Sequence, residues 1–278
     1  MSKIYQKIII RGIILVIILF IVFLFSIWIN KKTINEGEVL LIETDMQTET
    51  IKEKDEDKEI IDNSDKIIDD HNKEGIINPE PVKQASIIKY SVPFTPQAPY
   101  ADWDDPRQQD GCEEASSIMA VYWARDKSLT RYEANKMINE ISNWEEEIYG
   151  SFHDTSAQDT VLRIIQRYFS HKNAIVKNNV EINDIILAIE QGNLILTPAN
   201  GQILGNPYFT QPGPTTHMLV IIGYDPDTDE FITNDPGTKR GEGYRYKTSV
   251  LFNAIRDYPT GDHEPIQTIQ KNIILVGK

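Results

Sequence analysis

Cysteine is almost missing from this chain: its 278 residues hold one, Cys112. No intramolecular disulfide can form, so whatever stability the protein has must come from packing. Positive charge is also in deficit, with 28 Lys and Arg against 42 Asp and Glu and a net charge of −14. Nucleic-acid backbones are gripped by clustered Lys and Arg, so this balance argues against nucleic acid as a partner. Aromatic residues are absent from 33–82, and internal repeats from the whole sequence. A segment with no aromatic and runs such as Glu53-Lys54-Asp55-Glu56-Asp57-Lys58-Glu59 cannot bury a core.

Residues 13–29 form an apolar run broken only by Ser26, and with 8–10 ahead of Arg11 this approaches the roughly 20 residues that cross a bilayer. It shows no polar stripe at a period of 3.6, as a buried soluble helix would. Small residues in a cleavage-site pattern do not follow it, so the expectation is an uncleaved anchor. Lys3, Lys7 and Arg11 precede the run and only Lys31 and Lys32 follow it, which favours a cytoplasmic N-terminus and an extracytoplasmic remainder.

Composition then divides the chain into an anchor over 1–32, an acidic and disordered stalk over 33–82 and a globular domain over 83–278. Their net charges are +5, −11 and −8. The globular part has an ordinary size for one domain and holds three of the four tryptophans.

Periodicity within it predicts a strand at 87–92, a proline-rich loop over 93–111, and helices at 112–124, 131–141, 157–169 and 182–191. Ser156 and Asp159 fit a capping pair for the third of these, and Gly192 closes the fourth. Strands are expected at 194–198, 217–224, 230–234 and 272–276, with a helix at 248–257. Helices first and an antiparallel sheet second make an α+β fold.

The lone cysteine follows Gly111 at the predicted start of a helix, where the helix dipole and unpaired N–H groups lower a thiol pKa. His217 follows a loop of Pro, Gly and Thr and opens the apolar strand Met218-Leu219-Val220-Ile221-Ile222, which places an imidazole at a sheet rim. Asp235 ends the next strand across a short hairpin, and opposed residues of paired strands come within about 5 Å. A thiol, a proton carrier and an orienting carboxylate are what nucleophilic acyl chemistry requires. Asn234 is the rival third member, because strand alternation lets only one of the two face His217.

Four segments carry a resemblance: Val92-Pro93-Phe94-Thr95-Pro96-Gln97, Gly111-Cys112-Glu113-Glu114-Ala115-Ser116, His217-Met218-Leu219-Val220-Ile221-Ile222-Gly223-Tyr224-Asp225, and Asn234-Asp235-Pro236. In this order they resemble the C39-like peptidase family over about 91–276. The resemblance implies a papain-like fold with Cys112 as nucleophile, His217 as general base, Asp235 orienting it and Gln97 as oxyanion donor. It implies a cysteine peptidase acting on a peptide or protein substrate, with no cofactor and no metal. The helix start reads Gly-Cys-Glu-Glu where many relatives have Cys-Gly-Pro, and the long stretch before Cys112 leaves Gln108 or Gln109 as alternative oxyanion donors. Nothing resembles an ATP-binding cassette, so leader-peptide cleavage inside an export transporter is not the expected task.

Other residues invite weaker readings. His153 and Asp154 are adjacent but lack a second ligand at metal spacing. His71 falls in the stalk, and His171 and His263 lie in polar segments read as exposed. Tyr100, Trp103, Tyr208 and Phe209 sit in loops flanking the expected nucleophile and base, either lining a groove or packing the core. Asp102, Asp104, Asp105 and Asp110 bias the same region towards cationic substrates or form a solvated face. Asn200-Gly201 and Gly205-Asn206 are turn signals that would let the segment before His217 act as a flap. Against the hydrolase stand two other functions, a silent peptide-binding module and a thiol acyltransferase.

Overall fold

The computed structural model describes residues 86–278, so the expected anchor at 1–32 and the whole expected stalk at 33–82 lie outside the described residues. Among the described residues no helix is long and apolar enough to cross a membrane.

The domain is α+β. Strand β1 (Ile88–Lys89) leads to a short helix α1 (Pro106–Gln109), then α2 (Cys112–Ala124), α3 (Arg131–Tyr149) and α4 (Ala157–Asp159). The last of these widens at once into a π-helical stretch, Thr160–Tyr168. There follow β2 (Ala174–Lys177), α5 (Ile182–Glu190), β3 (Leu194–Ala199), α6 (Gly201–Leu204), β4 (His217–Asp225), β5 (Glu230–Asn234), β6 (Tyr244–Lys247), α7 (Thr248–Ala254) and β7 (Ile273–Val276). The sheet is antiparallel throughout, in the order β2-β7-β3-β4-β5-β6, with β1 paired to the far end of β4.

Apolar residues cover both sides of this sheet, which is why its central strands read as continuous hydrophobic runs. Met218, Val220 and Ile222 of β4 join Leu194 and Leu196 of β3 in one core with Ile118, Met119 and Val121 of α2. The residues between them, Leu219, Ile221 and Ile195, face a second core with Ile185 and Ile189 of α5 and Leu251 of α7. Period-two alternation along β3 and β4 therefore separates two helical layers.

Local signals place the helix ends. Thr130 accepts from the Glu133 amide while Glu133 reaches back to the Thr130 amide, a capping box that starts α3. Gly150 ends that helix with φ of 79°, and so α3 runs eight residues past the expected stop at 141. Ser156 accepts from the Asp159 amide as expected for α4. Part of the expected loop at 93–111 is instead helical, because Asp105 caps α1 by accepting from the Arg107 amide and Pro106 supplies a preset first turn.

Candidate active site

Three neighbouring elements meet at one end of the sheet. Gly111 must be glycine for α2 to begin where it does: a Cβ there would lie 2.6 Å from the Arg107 carbonyl oxygen and 3.0 Å from Ile138 Cγ2. Cys112 is thereby set at the first turn of α2. One turn on, Ser116 Oγ donates to the Met218 carbonyl at 3.2 Å, registering α2 against the residue that follows His217. Cys112 and His217 line a common cavity of about 840 Å³, together with Gln97, Gln109, Trp103 and Tyr208.

His217 is 2% exposed, and its Nε2 lies 2.8 Å from Asp235 Oδ1. That leaves Nδ1 as the ring's second nitrogen. The Phe209 ring stands edge-on to the imidazole at 5.3 Å between centroids, holding its plane. Gly237 is a second enforced glycine, since a Cβ would come within 3.0 Å of His217 Cε1 and 2.8 Å of Phe209.

Asp235 has no solvent exposure. Its Oδ1 also accepts from the Gly237 amide at 3.0 Å, and its Oδ2 accepts from the Tyr246 hydroxyl at 2.7 Å and from Asn206 Nδ2 at 3.3 Å. Burial pushes its pKa up, but the His217 charge and hydrogen bond, the Tyr246 hydroxyl and the Gly237 amide together hold it below the usual carboxylate range. Asn234 points elsewhere: its side chain donates to the Val92 carbonyl and accepts from the Gly243 amide. The choice between Asn234 and Asp235 is thus resolved geometrically as the partner of His217.

Gln97 is brought in by a main-chain bond from its amide to the Pro236 carbonyl, 2.9 Å, which ties it to the turn after Asp235. Its Nε2 donates to the Gln108 and Gln109 carbonyls at 3.1 and 2.7 Å, so both amide protons are engaged. Gln109 also lines the cavity, whereas the Gln108 side chain is buried outside that lining.

Sequence reasoning placed Cys112 where its pKa should fall, and the structure reverses the direction. The thiol is buried and donates to Glu113 Oε2 at 3.0 Å. Desolvation first, then the Glu113 carboxylate, push its pKa well up. Glu113 is itself buried, accepting at Oε1 from the Tyr258 hydroxyl at 2.7 Å and the Thr155 amide at 3.3 Å. Burial, then the negative Asp154, raise Glu113 to about 7.

Glu113, Tyr246, Asn206 and Tyr258 were not anticipated. Glu113 carried a signal, since it follows the lone cysteine directly; Tyr246 lies on a strand that periodicity did not reveal.

His263 is half exposed but not idle: its Nδ1 lies 3.0 Å from Asp154 Oδ2, and both residues line the cavity. Asp154 therefore pairs with His263, and its neighbour His153 stacks on Phe152 at 4.3 Å. No group of three metal-binding side chains occurs among the described residues. His171 is structural, its Nε2 bonded to the Gly277 carbonyl. Trp103, Tyr208 and Phe209 line the cavity, while Tyr100 is exposed away from it, near the Arg131 guanidinium. Asp110 reaches the cavity wall, whereas Asp102 and Asp104 are exposed and Asp105 is occupied as a helix cap. The segment before His217 is fastened to α6 by the Gln202 amide on the Pro214 carbonyl and by Asn200 Nδ2 on the Thr215 carbonyl.

Comparison with known proteins bears on this arrangement. No curated protein matches the chain. A crystal structure of a C39-like peptidase from Bacillus anthracis is 17% identical, covers 70% of this chain and 98% of its own, and superposes with a TM-score of 0.45. The family model of the Peptidase_C39 like family matches residues 89–259, a range that includes Gln97, Cys112, His217 and Asp235. The chain is a member of the Peptidase_C39 like family.

Proposed function

We propose that the protein is a cysteine peptidase or amidase of papain-like type that hydrolyses a peptide or amide bond through an acyl-enzyme on Cys112. The observation that carries this reading is the fully buried His217–Asp235 pair, 2.8 Å long, whose imidazole lines the same cavity as the only thiol. With Nε2 held by Asp235, Nδ1 is the nitrogen that takes the thiol proton. Sulfur then attacks the carbonyl carbon. The C–N bond breaks as His217 returns its proton to the leaving amine, and water on the freed imidazole releases the acid. The Cys112 main-chain N–H and the Gln97 amide are the proposed oxyanion donors, Gln97 exchanging one carbonyl partner for the oxyanion. The same proposal includes membrane anchoring through 13–29 with the 83–278 domain outside, supported by the apolar run and its flanking charge. Protection of the domain from protease added to intact cells would overturn that orientation.

A second reading, a silent peptide-binding module, draws on one observation: the thiol rests on Glu113. The two part in the rate of Cys112 alkylation by iodoacetamide in the full chain, followed against pH beside His217→Ala. The peptidase predicts labelling below pH 7, where a free thiol of pKa about 8.5 is almost unreactive, and its loss in the variant. Labelling that rises only above pH 8, alike in both proteins, would leave the binding module. Release of an amide in place of an acid when an amine is added would instead mark acyl transfer.

A further inference from the structure

The proposed mechanism uses Cys112, His217 and Asp235, and has no task for the carboxyl group nearest the sulfur. Glu113 follows Cys112 in the chain, and residues adjacent on a helix ordinarily point apart. Here Oε2 nevertheless reaches Sγ at 3.0 Å, while Tyr258 from beyond α7 and the Thr155 amide from before α4 hold Oε1. Three separated parts of the chain thus converge to keep one carboxyl group against the thiol. Glu113 is 2% exposed, so water cannot substitute for any of these partners.

We propose that Glu113 is a positioning residue that competes with His217 for the Cys112 proton, holding the thiol protonated while it is ionised and releasing it to the imidazole when it is itself protonated. The proposal rests on the peptidase reading of the site. Ionised Glu113 can only accept, so it binds S–H and disfavours a thiolate beside it. Protonated Glu113 carries no charge, and its O–H can donate to the sulfur anion. No bond other than S–H, O–H and N–H changes: the proton leaving sulfur is held on His217 Nδ1.

The groups facing Glu113 set where this exchange occurs. Asp154 opposes its ionisation, and is itself partly offset by His263 at 3.0 Å. Glu114 on the same helix and Glu145 on α3 are buried nearby and raised first by that burial, with the Glu113 charge adding to both. Tyr258, pushed well above the usual tyrosine range by burial and by Glu113, stays a donor. With Glu113 raised to about 7, the exchange falls near neutrality.

The test is the pH profile of iodoacetamide alkylation of Cys112 in the full chain, which needs no substrate. In the unaltered protein, labelling should fall as Glu113 ionises through about pH 7 and rise again only in alkali. Glu113→Gln keeps the shape, removes the charge and should abolish the fall, with labelling at pH 8 faster by about tenfold, a one-unit change in thiol pKa. Tyr258→Phe keeps Glu113 but removes the hydroxyl that favours its ionised form, so the fall should move to higher pH. Equal or slower labelling of Glu113→Gln at pH 8, or an unmoved fall in Tyr258→Phe, overturns the proposal. Adding His217→Ala to Glu113→Gln separates the two readings: if that pair labels as fast as Glu113→Gln alone, the peptidase mechanism fails while the restraint by Glu113 stands.

Discussion

Two buried acidic groups flank the proposed nucleophile, and the same residue chemistry behaves oppositely in each. On the β5–β6 side, Asp235 is fully buried yet held below the usual carboxylate range. On the α2–α3 side, Glu114 and Glu145 are equally buried, and burial first, then the charge of a neighbouring glutamate (Glu145 for Glu114, Glu113 for Glu145), pushes both up, Glu145 to about 8. Burial does not separate them; donors do. Asp235 accepts from His217, Gly237, Tyr246 and Asn206, whereas neither Glu145 oxygen nor Glu114 Oε2 has a partner among the described residues. Desolvation of a carboxylate is offset only when preorganised N–H and O–H groups replace water. Glu113, with a hydroxyl, an amide and a thiol around it, falls between the two at about 7.

The comparison breaks most visibly if Asp235 is removed. Asp235→Ala strands the imidazole and leaves Tyr246, Asn206 and the Gly237 amide without an acceptor. Breaking a buried pair in this way costs about 3 to 5 kcal/mol, measured by urea unfolding at pH 7. A loss below about 1 kcal/mol would mean that the donors are satisfied elsewhere and that the contrast is not one of donor count.

Glu145 predicts the opposite response. A carboxyl group whose folded pKa lies above its unfolded value contributes stability that is full below the ordinary glutamate range and lost as pH rises towards the folded value. For Glu145 that window closes at about 8, and for Glu113 at about 7. Glu145→Gln should therefore flatten the decline in stability between pH 5 and pH 8.5, gaining on the order of a few kcal/mol at the alkaline end. Urea midpoints at the two pH values read this directly, and parallel declines in both proteins would refute it.

What could be foreseen divides along similar physical lines. Cys112, His217 and Asp235 were legible because each sits at an element boundary marked by its neighbours: Gly111, a loop-to-apolar transition, and a hairpin followed by Asp-Pro-Gly. The central strands β3, β4 and β5 were legible because both faces are buried and their sequences are apolar. The strands that periodicity missed, β2 and β6, are the two edges of the sheet. Tyr244-Arg245-Tyr246-Lys247 exposes Arg245 and Lys247, so its pattern reads as a polar loop. The Tyr246 partner of Asp235 was hidden with it. Glu113 was visible as a departure from the family pattern, but that its carboxyl turns back onto Sγ depends on Tyr258 and Thr155, which are remote in sequence.

The finest test removes a single donor from the satisfied side. Tyr246→Phe deletes one hydroxyl from Asp235 Oδ2 and leaves Asn206 Nδ2 at 3.3 Å, so the carboxylate loses one of four supports and retains His217. A hydrogen bond to a charged group contributes about 1.5 to 3 kcal/mol, and the surviving Asn206 contact points to the low end. The pH dependence has a definite sign. Asp235 is depressed in the folded state, so its contribution is present at neutral pH and lost as pH falls through its folded value. Taking away a donor raises that value, and acid unfolding of Tyr246→Phe should begin at higher pH than in the unaltered protein. If the onset does not move, the hydroxyl is not among the groups that hold Asp235 ionised, and the distinction from Glu145 must rest on His217, the Gly237 amide and Asn206.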